Sequence, residues 1–226
     1  SIRIGLGLSK DETLVRMPFE VRHMGSKYPI FSFDFTGAKR GVLPASYDYL
    51  RLEGRMQYRL NLPPIGYSQL MLEGGKIFGK VPYLLLKLHE GNGTYFYDRY
   101  AFSCMNFYEF SSDAWISFFY EHHFNGFLLG RVPLLKKLNW REVFVFKGVY
   151  GTLSARNDGS LPNTKAVMLF PVGMSSVEHP YLETGFGIEN IFRLLRVDCI
   201  WRLTHHRAVP GLSIPTFTVN FSLNLK

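Results

Sequence analysis

The sequence predicts an all-β protein, an antiparallel up-and-down transmembrane β-barrel of about ten strands, and three observations carry that prediction. The last ten residues alternate without a break: Phe217, Val219, Phe221, Leu223 and Leu225 share one face, and Thr218, Asn220, Ser222, Asn224 and Lys226 the other. A strand of about ten residues is long enough to cross an outer membrane at a tilt. The same two-residue period recurs along most of the 226 residues, broken by turn signals. Composition agrees: 46% of residues are hydrophobic, with 20 Phe and 13 Tyr, yet the mean hydropathy is −0.01, as for a barrel whose two faces average out. Charges interrupt every apolar run before the roughly 18 residues of a spanning helix. A soluble ligand-binding β protein would share these numbers, so composition leaves that alternative open.

The elements follow in order. Ser1 to Leu8 already alternates as a strand and has no secretory-signal character, so the N-terminus reads as a cut. The chain is expected to be one barrel domain over 1–226, either a mature chain that starts here or the C-terminal part of a longer protein and of a larger barrel. The charged stretch 10–27 reads as a solvent-exposed loop. Phe31, Phe33 and Phe35 alternate with Ser32, Asp34 and Thr36 in a second strand. Over 47–62 the pattern is clearest, with Leu50, Leu52, Gly54, Met56, Tyr58 and Leu60 set against Arg51, Glu53, Arg55, Gln57 and Arg59. Pro63 and Pro64 force a turn, and 67–78 returns with Leu70 and Leu72 opposite Gln69 and Glu73. A connection, 79–94, leads to a strand over 97–108 whose facing the pattern does not settle. Ile116, Phe118 and Tyr120 then oppose Ser117, Glu121 and His123, and Phe144, Phe146 and Tyr150 mark a further strand. The irregular stretch 151–179, with a short apolar strand at 166–170, is the best candidate for a functional surface loop. The final strands are 180–189, 196–204 and 214–226.

The side chains narrow the chemistry. The net charge of +8 is dispersed, which suits anionic headgroups or an acidic partner and gives nucleic acid little support. Cys104 and Cys199 fall on segments not expected to be neighbours and read as unpaired apolar fillers. The row Arg51, Glu53, Arg55, Gln57 and Arg59 is either a selectivity ladder of a pore or a salt-bridge network that fills a narrow lumen. In a soluble barrel the same row would face outward, and periodicity alone does not choose. Glu121 and His123 form an inward polar pair, while His122 points outward, so the three adjacent residues make no single catalytic constellation. Catalysis on envelope lipids would need a serine aligned with His122 or His123, and none is marked. His205-His206 lacks the spacing for a shared metal and reads as loop. Glu73-Gly74-Gly75 and Gly185-Phe186-Gly187 lie within strand patterns and read as close packing. No catalytic residue, metal or cofactor is expected.

Three stretches, LPPIGYSQLMLEGGKIFGKVPYLLL (62–86), FYEHHFNGFLLGRVPLLKKLNWREV (119–143) and GIENIFRLLRVDCIWRLT (187–204), resemble one particular group of sequences. It is an uncharacterised outer-membrane β-barrel family of Bacteroidetes-type bacteria, whose longer members carry an N-terminal carboxypeptidase-regulatory-like domain. The resemblance implies a location in the cell outer membrane of a Gram-negative bacterium, and no particular reaction or substrate. The implied partners are outer-membrane lipids, the barrel-assembly machinery that inserts the protein and a periplasmic protein. The chain departs from the usual barrel ending in finishing on Leu225-Lys226 rather than on an aromatic residue. A non-enzymatic envelope role is the first functional expectation, in anchoring, transport or assembly. The alternatives are an outer-membrane lipid hydrolase or acyltransferase and a soluble lipid-binding β-barrel.

Overall fold

A computed structural model describes residues 1–16, 21–41, 46–94, 96–160, 166–177, 179–206 and 216–221. Its strands are β1 (Ile2–Leu8), β2 (Glu12–Arg16), β3 (Val21–Ser26), β4 (Ile30–Ala38), β5 (Tyr49–Asn61), β6 (Tyr67–Gly79), β7 (Lys87–Leu88), β8 (Phe110–Ser112), β9 (Ala114–His123), β10 (Arg141–Thr152), β11 (Ser175–Ser176), β12 (Tyr181–Ile191), β13 (Leu195–Arg202) and β14 (Thr216–Phe221), with one short helix, α1 (Pro133–Lys136). Nine of them form one sheet in the order β1-β4-β5-β6-β9-β10-β12-β13-β14, every pair antiparallel. The protein is all-β and antiparallel, and the long strands fall where the period-2 runs predict them. Residues 214, 215 and 222–226 of the expected last strand lie outside the described residues, as do 161–165 of the expected loop.

Register carries one apolar row after another across the sheet. Leu6 pairs with Phe33, Phe33 with Gly54, Met56 with Leu72, Leu72 with Phe118, Tyr120 with Phe146, Phe144 with Phe186 and Phe186 with Cys199. This face is uncovered: Ile4 is 58% exposed, Ile116 54%, Phe186 60% and Phe217 59%. The opposite face holds the charges, and there Lys147, Glu183 and Asp198 are each 0% exposed. The usual relation of a water-soluble protein, apolar inside and charged outside, is inverted.

The inward face is covered by the 80–113 segment between β6 and β9, which folds back against the sheet as an internal plug. Each buried apolar cluster joins plug to sheet. Phe102, Met105 and Phe110 pack with Met71, Phe119, Val149 and Tyr181, Tyr97 and Cys104 with Val143, Val145 and Ile200, and Val81 and Leu86 with Ile77 and Trp115. The sheet also curls about this face. Arg196 on β13 reaches Glu121 on β9 at 3.1 Å, although three interstrand steps separate them, about 14 Å if the sheet were flat. The edge strands β1 and β14 do not pair with each other among the described residues. One parallel bridge, Phe96 to Val219, lays the plug against β14.

Three expectations are corrected. The strand expected over 97–108 does not form, and among the described residues the main sheet has nine strands. That segment has no period-2 division: Tyr97 and the run from Ala101 to Met105 are buried, whereas Asp98, Tyr100, Phe107 and Tyr108 are exposed. Within 10–27, β2 and β3 pair antiparallel, with Leu14 opposite His23 and Arg16 opposite Val21, rather than forming a loop, while residues 17–20 lie outside the described residues. The expected strand at 166–170 is irregular. Phe170 N donates to Gly159 O at 2.9 Å, and the phenyl ring leaves the run to meet Tyr83, centroids 6.4 Å apart.

The β5–β6 turn holds one strict backbone requirement. Gly66 has φ +106°, and a Cβ there would lie 1.8 Å from the carbonyl oxygen of His123. Gly66→Ala is therefore expected to destabilise the fold by about 2 kcal/mol or more. A lowered midpoint in thermal or urea unfolding checks this, and an unchanged midpoint would mean the turn is not held against β9.

Candidate functional site

The inward strand positions put five charged groups beside the plug. Glu183 on β12 accepts the backbone N–H groups of Ser103 (2.9 Å) and Cys104 (2.7 Å) and the Tyr181 hydroxyl (2.5 Å). Lys147 on β10 donates to the carbonyls of Asp98 (2.8 Å) and Ala101 (2.5 Å), with its ammonium 4.5 Å from the centre of the Tyr97 ring. Arg202 on β13 donates to Cys104 O (3.2 Å) and to Glu109 (2.6 Å). Arg196 binds Asp198 through three contacts of 2.8–2.9 Å and lies 4.3 Å from the Tyr97 ring centre. Glu121 accepts from the Tyr97 hydroxyl, from Arg99 Nε at 2.7 Å and from Arg196. A buried charge is tolerated only when paired and hydrogen-bonded, and an irregular plug backbone has the free N–H and C=O groups to do it.

The charge ladder and the Glu121–His123 pair read from the sequence face inward. Arg51 binds Glu53 at 2.6 Å, Arg55 binds Glu73 at 2.7 Å, and Glu73 passes the chain of charge to Lys87 (2.7 Å) and Glu90 (2.9 Å) in the plug. Gln57 contacts Met71 Sδ, and Arg59 lies over the Tyr67 ring at 4.1 Å. Arg55, Glu73, Lys87 and Glu90 thus form a salt-bridge network that crosses from β5 to β6 and ends on the plug. Glu121 and His123 do come together, His123 Nε2 lying 3.4 Å from Glu121 and Nδ1 3.0 Å from Glu189. His123 also stacks on Tyr67, centroids 4.5 Å apart.

Sequence reasoning missed Lys147 and Glu183, because their inward neighbours on β10 and β12, Val145, Val149, Tyr181 and Gly185, carry no charge and no ionic row marks the face as it does from Arg51 to Arg59. It also missed Ser68. In register with His122 on the outward face, Ser68 Oγ lies 2.8 Å from His122 Nδ1 and 3.0 Å from the Tyr120 hydroxyl. His122 Nε2 is 3.0 Å from Ile65 O. A carbonyl only accepts, so Nε2 carries the proton and Nδ1 is the acceptor for Ser68. Ser68 is 4% and His122 6% exposed, and the pair pins the β5–β6 turn to β9.

Cys104 and Cys199 are free. Cys104 is in the plug rather than on a strand, with Sγ 3.4 Å from Ile200 O, and Cys199 is on the outward face. His205 lies in an irregular segment and is half-buried, 2.9 Å from His179 O and packed on Phe110 and Tyr181. The glycine pairs are close packing, as expected. A Cβ at Gly75 would lie 2.6 Å from the Trp115 ring, and one at Gly187 2.1 Å from Asp198 Oδ1.

The C-terminal domain of a family of unknown function (DUF5686) matches residues 11–155, from the β2–β3 pair to the segment after β10. The chain belongs to this family. The matched stretch contains the whole plug and the strands β4, β5, β6, β9 and β10, so the segment that fills the interior is part of the family's own domain. Comparison with curated proteins finds no match.

Burial displaces the acidities of Cys104 and His89 in the plug. Burial, with Glu183 nearby, pushes the Cys104 thiol up to about 12, so it is protonated and unreactive at neutral pH. Cys104 is expected to resist maleimide in the folded protein. Glu183→Ala orphans two amides, costing about 3 kcal/mol, and should speed that labelling roughly a hundredfold. Unchanged labelling would show that the plug does not depend on this clamp. Burial also holds the His89 imidazole down at about 3, with Lys87 adding to the shift and Glu73 opposing it. Its Nε2 meets Ser112 Oγ at 3.0 Å. The unfolded chain protonates His89 below about 6.5 and the folded chain does not. The stability this neutral group contributes is complete above pH 6.5 and is lost as pH falls toward 3. His89→Gln, which keeps a polar atom near Nε2, should therefore lose less thermal midpoint than the parent between pH 7 and pH 4.

Proposed function

We propose that this chain is a plugged transmembrane β-barrel module of the outer membrane of a Gram-negative bacterium, with a non-enzymatic role in the envelope. The single observation that carries the reading is the inversion of the sheet: large apolar and aromatic side chains stand uncovered on one face while ionic groups are sealed on the other. In water an apolar face of this extent is unfavourable, and in hydrocarbon it is what a spanning strand requires. Strand lengths of 13 residues in β5 and β6, 12 in β10 and 11 in β12 meet the nine to eleven needed to span. The soluble lipid-binding alternative needs its apolar face inside, and the inward face here carries the charges.

The filled interior favours anchoring or assembly over a permanently open pore, since passage along the inward face requires displacing a plug held by Glu183, Lys147 and Arg202. Within this reading the barrel closes through β1 and β14 or through further strands. The resemblance to the Bacteroidetes-type outer-membrane family supports the same location. It also supplies the domain to be anchored, a carboxypeptidase-regulatory-like domain on the periplasmic side. Outer-membrane lipids, the assembly machinery and a periplasmic protein are the partners this reading requires.

The test is gel mobility in SDS with and without boiling, on the full-length protein in isolated outer membranes. A mobility shift with retention in the membrane fraction is the expected outcome. Extraction without detergent and no shift would reverse the assignment of the faces.

A second reading, an esterase acting on membrane lipids, is favoured by Ser68 and His122 at 2.8 Å on the outward face. It requires Ser68, now 4% exposed, to open to a lipid ester. A fluorophosphonate probe is expected to leave Ser68 unmodified in the membrane-inserted protein. Labelling that disappears in Ser68→Ala would replace the non-enzymatic reading with the enzymatic one.

A further inference from the structure

A cavity of about 830 Å³ opens on the inward face at the end of the sheet where the β5–β6 turn lies. Its floor is made of two neighbouring cross-strand rows. One runs Arg59, Gln69, Glu121 and the other Gln57, Met71, Phe119 across β5, β6 and β9. One row is polar and the other largely apolar. The plug supplies a wall through Arg99 and Tyr100, whose ring meets Phe119 edge-on with centroids 6.3 Å apart.

The charges in this cavity are unequally used. Arg3, Arg51, Arg55, Arg196 and Arg202 elsewhere on the inward face each lie on a carboxylate. Within the cavity Glu121 is saturated by Tyr97, Arg99 and Arg196, and Glu189 nearby is taken by His123. Arg59 has no hydrogen bond or ion pair among the described residues. It is held by stacking alone, guanidinium over Tyr67 at 4.1 Å and Tyr67 in turn over His123 at 4.5 Å. Stacking fixes the plane of a guanidinium while leaving its N–H donors available, the state in which arginine recognises phosphate or carboxylate. Lys27 adds positive charge at the rim, where Asp11 is the opposing acid.

We propose that this cavity binds a small amphipathic organic anion, its phosphate or carboxylate on Arg59 with Gln57 and Gln69 alongside, and its apolar body against Met71 and Phe119. The volume lies in the range of small-molecule sites. The proposal rests on the membrane reading, because the gel-mobility result fixes which face is inward; a protein that shows the mobility shift and does not bind fails this proposal alone.

The test uses the full chain in nanodiscs of zwitterionic lipid, titrated with hexyl phosphate, hexanoate, hexanol and inorganic phosphate and followed by ligand-observed NMR. At least one hexyl anion is expected to bind about tenfold or more tightly than hexanol and than inorganic phosphate. Arg59→Gln should weaken that anion by about tenfold or more and leave hexanol unchanged, with Arg59→Lys intermediate. The relative affinities of hexyl phosphate and hexanoate identify the head group. Equal binding of hexanol, binding of inorganic phosphate as tight as that of hexyl phosphate, or indifference to Arg59→Gln in a protein that keeps the parent's gel mobility would each overturn the proposal.

Discussion

Everything inside this protein depends on the pairing of strand charges with plug backbone. Lys147, Glu183 and Asp198 have no exposure at all, and an unpaired charge so placed would be driven to neutralise or to open the fold. Glu183 meets two consecutive amides, Lys147 two carbonyls and Arg202 a third carbonyl. A regular strand or helix would spend those groups on its own ladder. The plug is irregular because its unspent backbone groups are the partners the sheet requires, and the apolar clusters of Phe102, Tyr97 and Leu86 add burial between these polar clamps. Such pairs are weak sources of net stability. What they supply is position: a plug shifted by one residue would exchange donors for acceptors against Glu183 and Lys147.

The outward face follows from the same arrangement. A sheet that turns its ionic residues inward must turn Phe118, Phe144, Phe146 and Phe186 outward, since successive side chains alternate. Aromatic contacts across strands organise that surface, Phe118 with Phe146 and Phe144 with Phe186 at centroid distances of 5.5 and 5.2 Å. The Ser68–His122–Ile65 bridge belongs to the end of this face, where a polar link to a turn carbonyl is compatible with an interfacial position.

Parity was fully legible in the sequence. Arg51 to Arg59, Glu121 and His123 face inward and His122 outward because a strand has only two faces, and β5, β6, β9, β10, β12 and β13 fall within a few residues of the alternating runs. The plug was not legible, because its burial follows no period: Ala101 to Met105 are buried in succession and Phe107 and Tyr108 are both exposed. Residues 97–108 therefore imitate a strand of uncertain facing. The partners of the ionic residues were not legible either. Cys104 and Glu183 are 79 residues apart and Tyr97 and Glu121 24 apart, and only the path of the chain through the interior brings them together. Ser68 escaped notice for a related reason: its alignment with His122 is a matter of register between β6 and β9, which fixes whether a hydroxyl meets an imidazole or a phenyl ring.

The sheet edges set the remaining constraint. All seven residues of β1 are exposed, and its outer row of N–H and C=O groups has no strand beside it among the described residues. On β14 the plug already takes one such group, Tyr97 N donating to Val219 O at 3.1 Å. In hydrocarbon each unpaired backbone group costs several kcal/mol, which is why membrane sheets close. An apolar outward face and an open edge are therefore incompatible in the same bilayer. If β1 lies in a membrane with Ile2, Ile4, Leu6 and Leu8 toward lipid, its free edge must be paired. The curl that brings Arg196 on β13 to Glu121 on β9 bends the sheet in the sense that such closure needs.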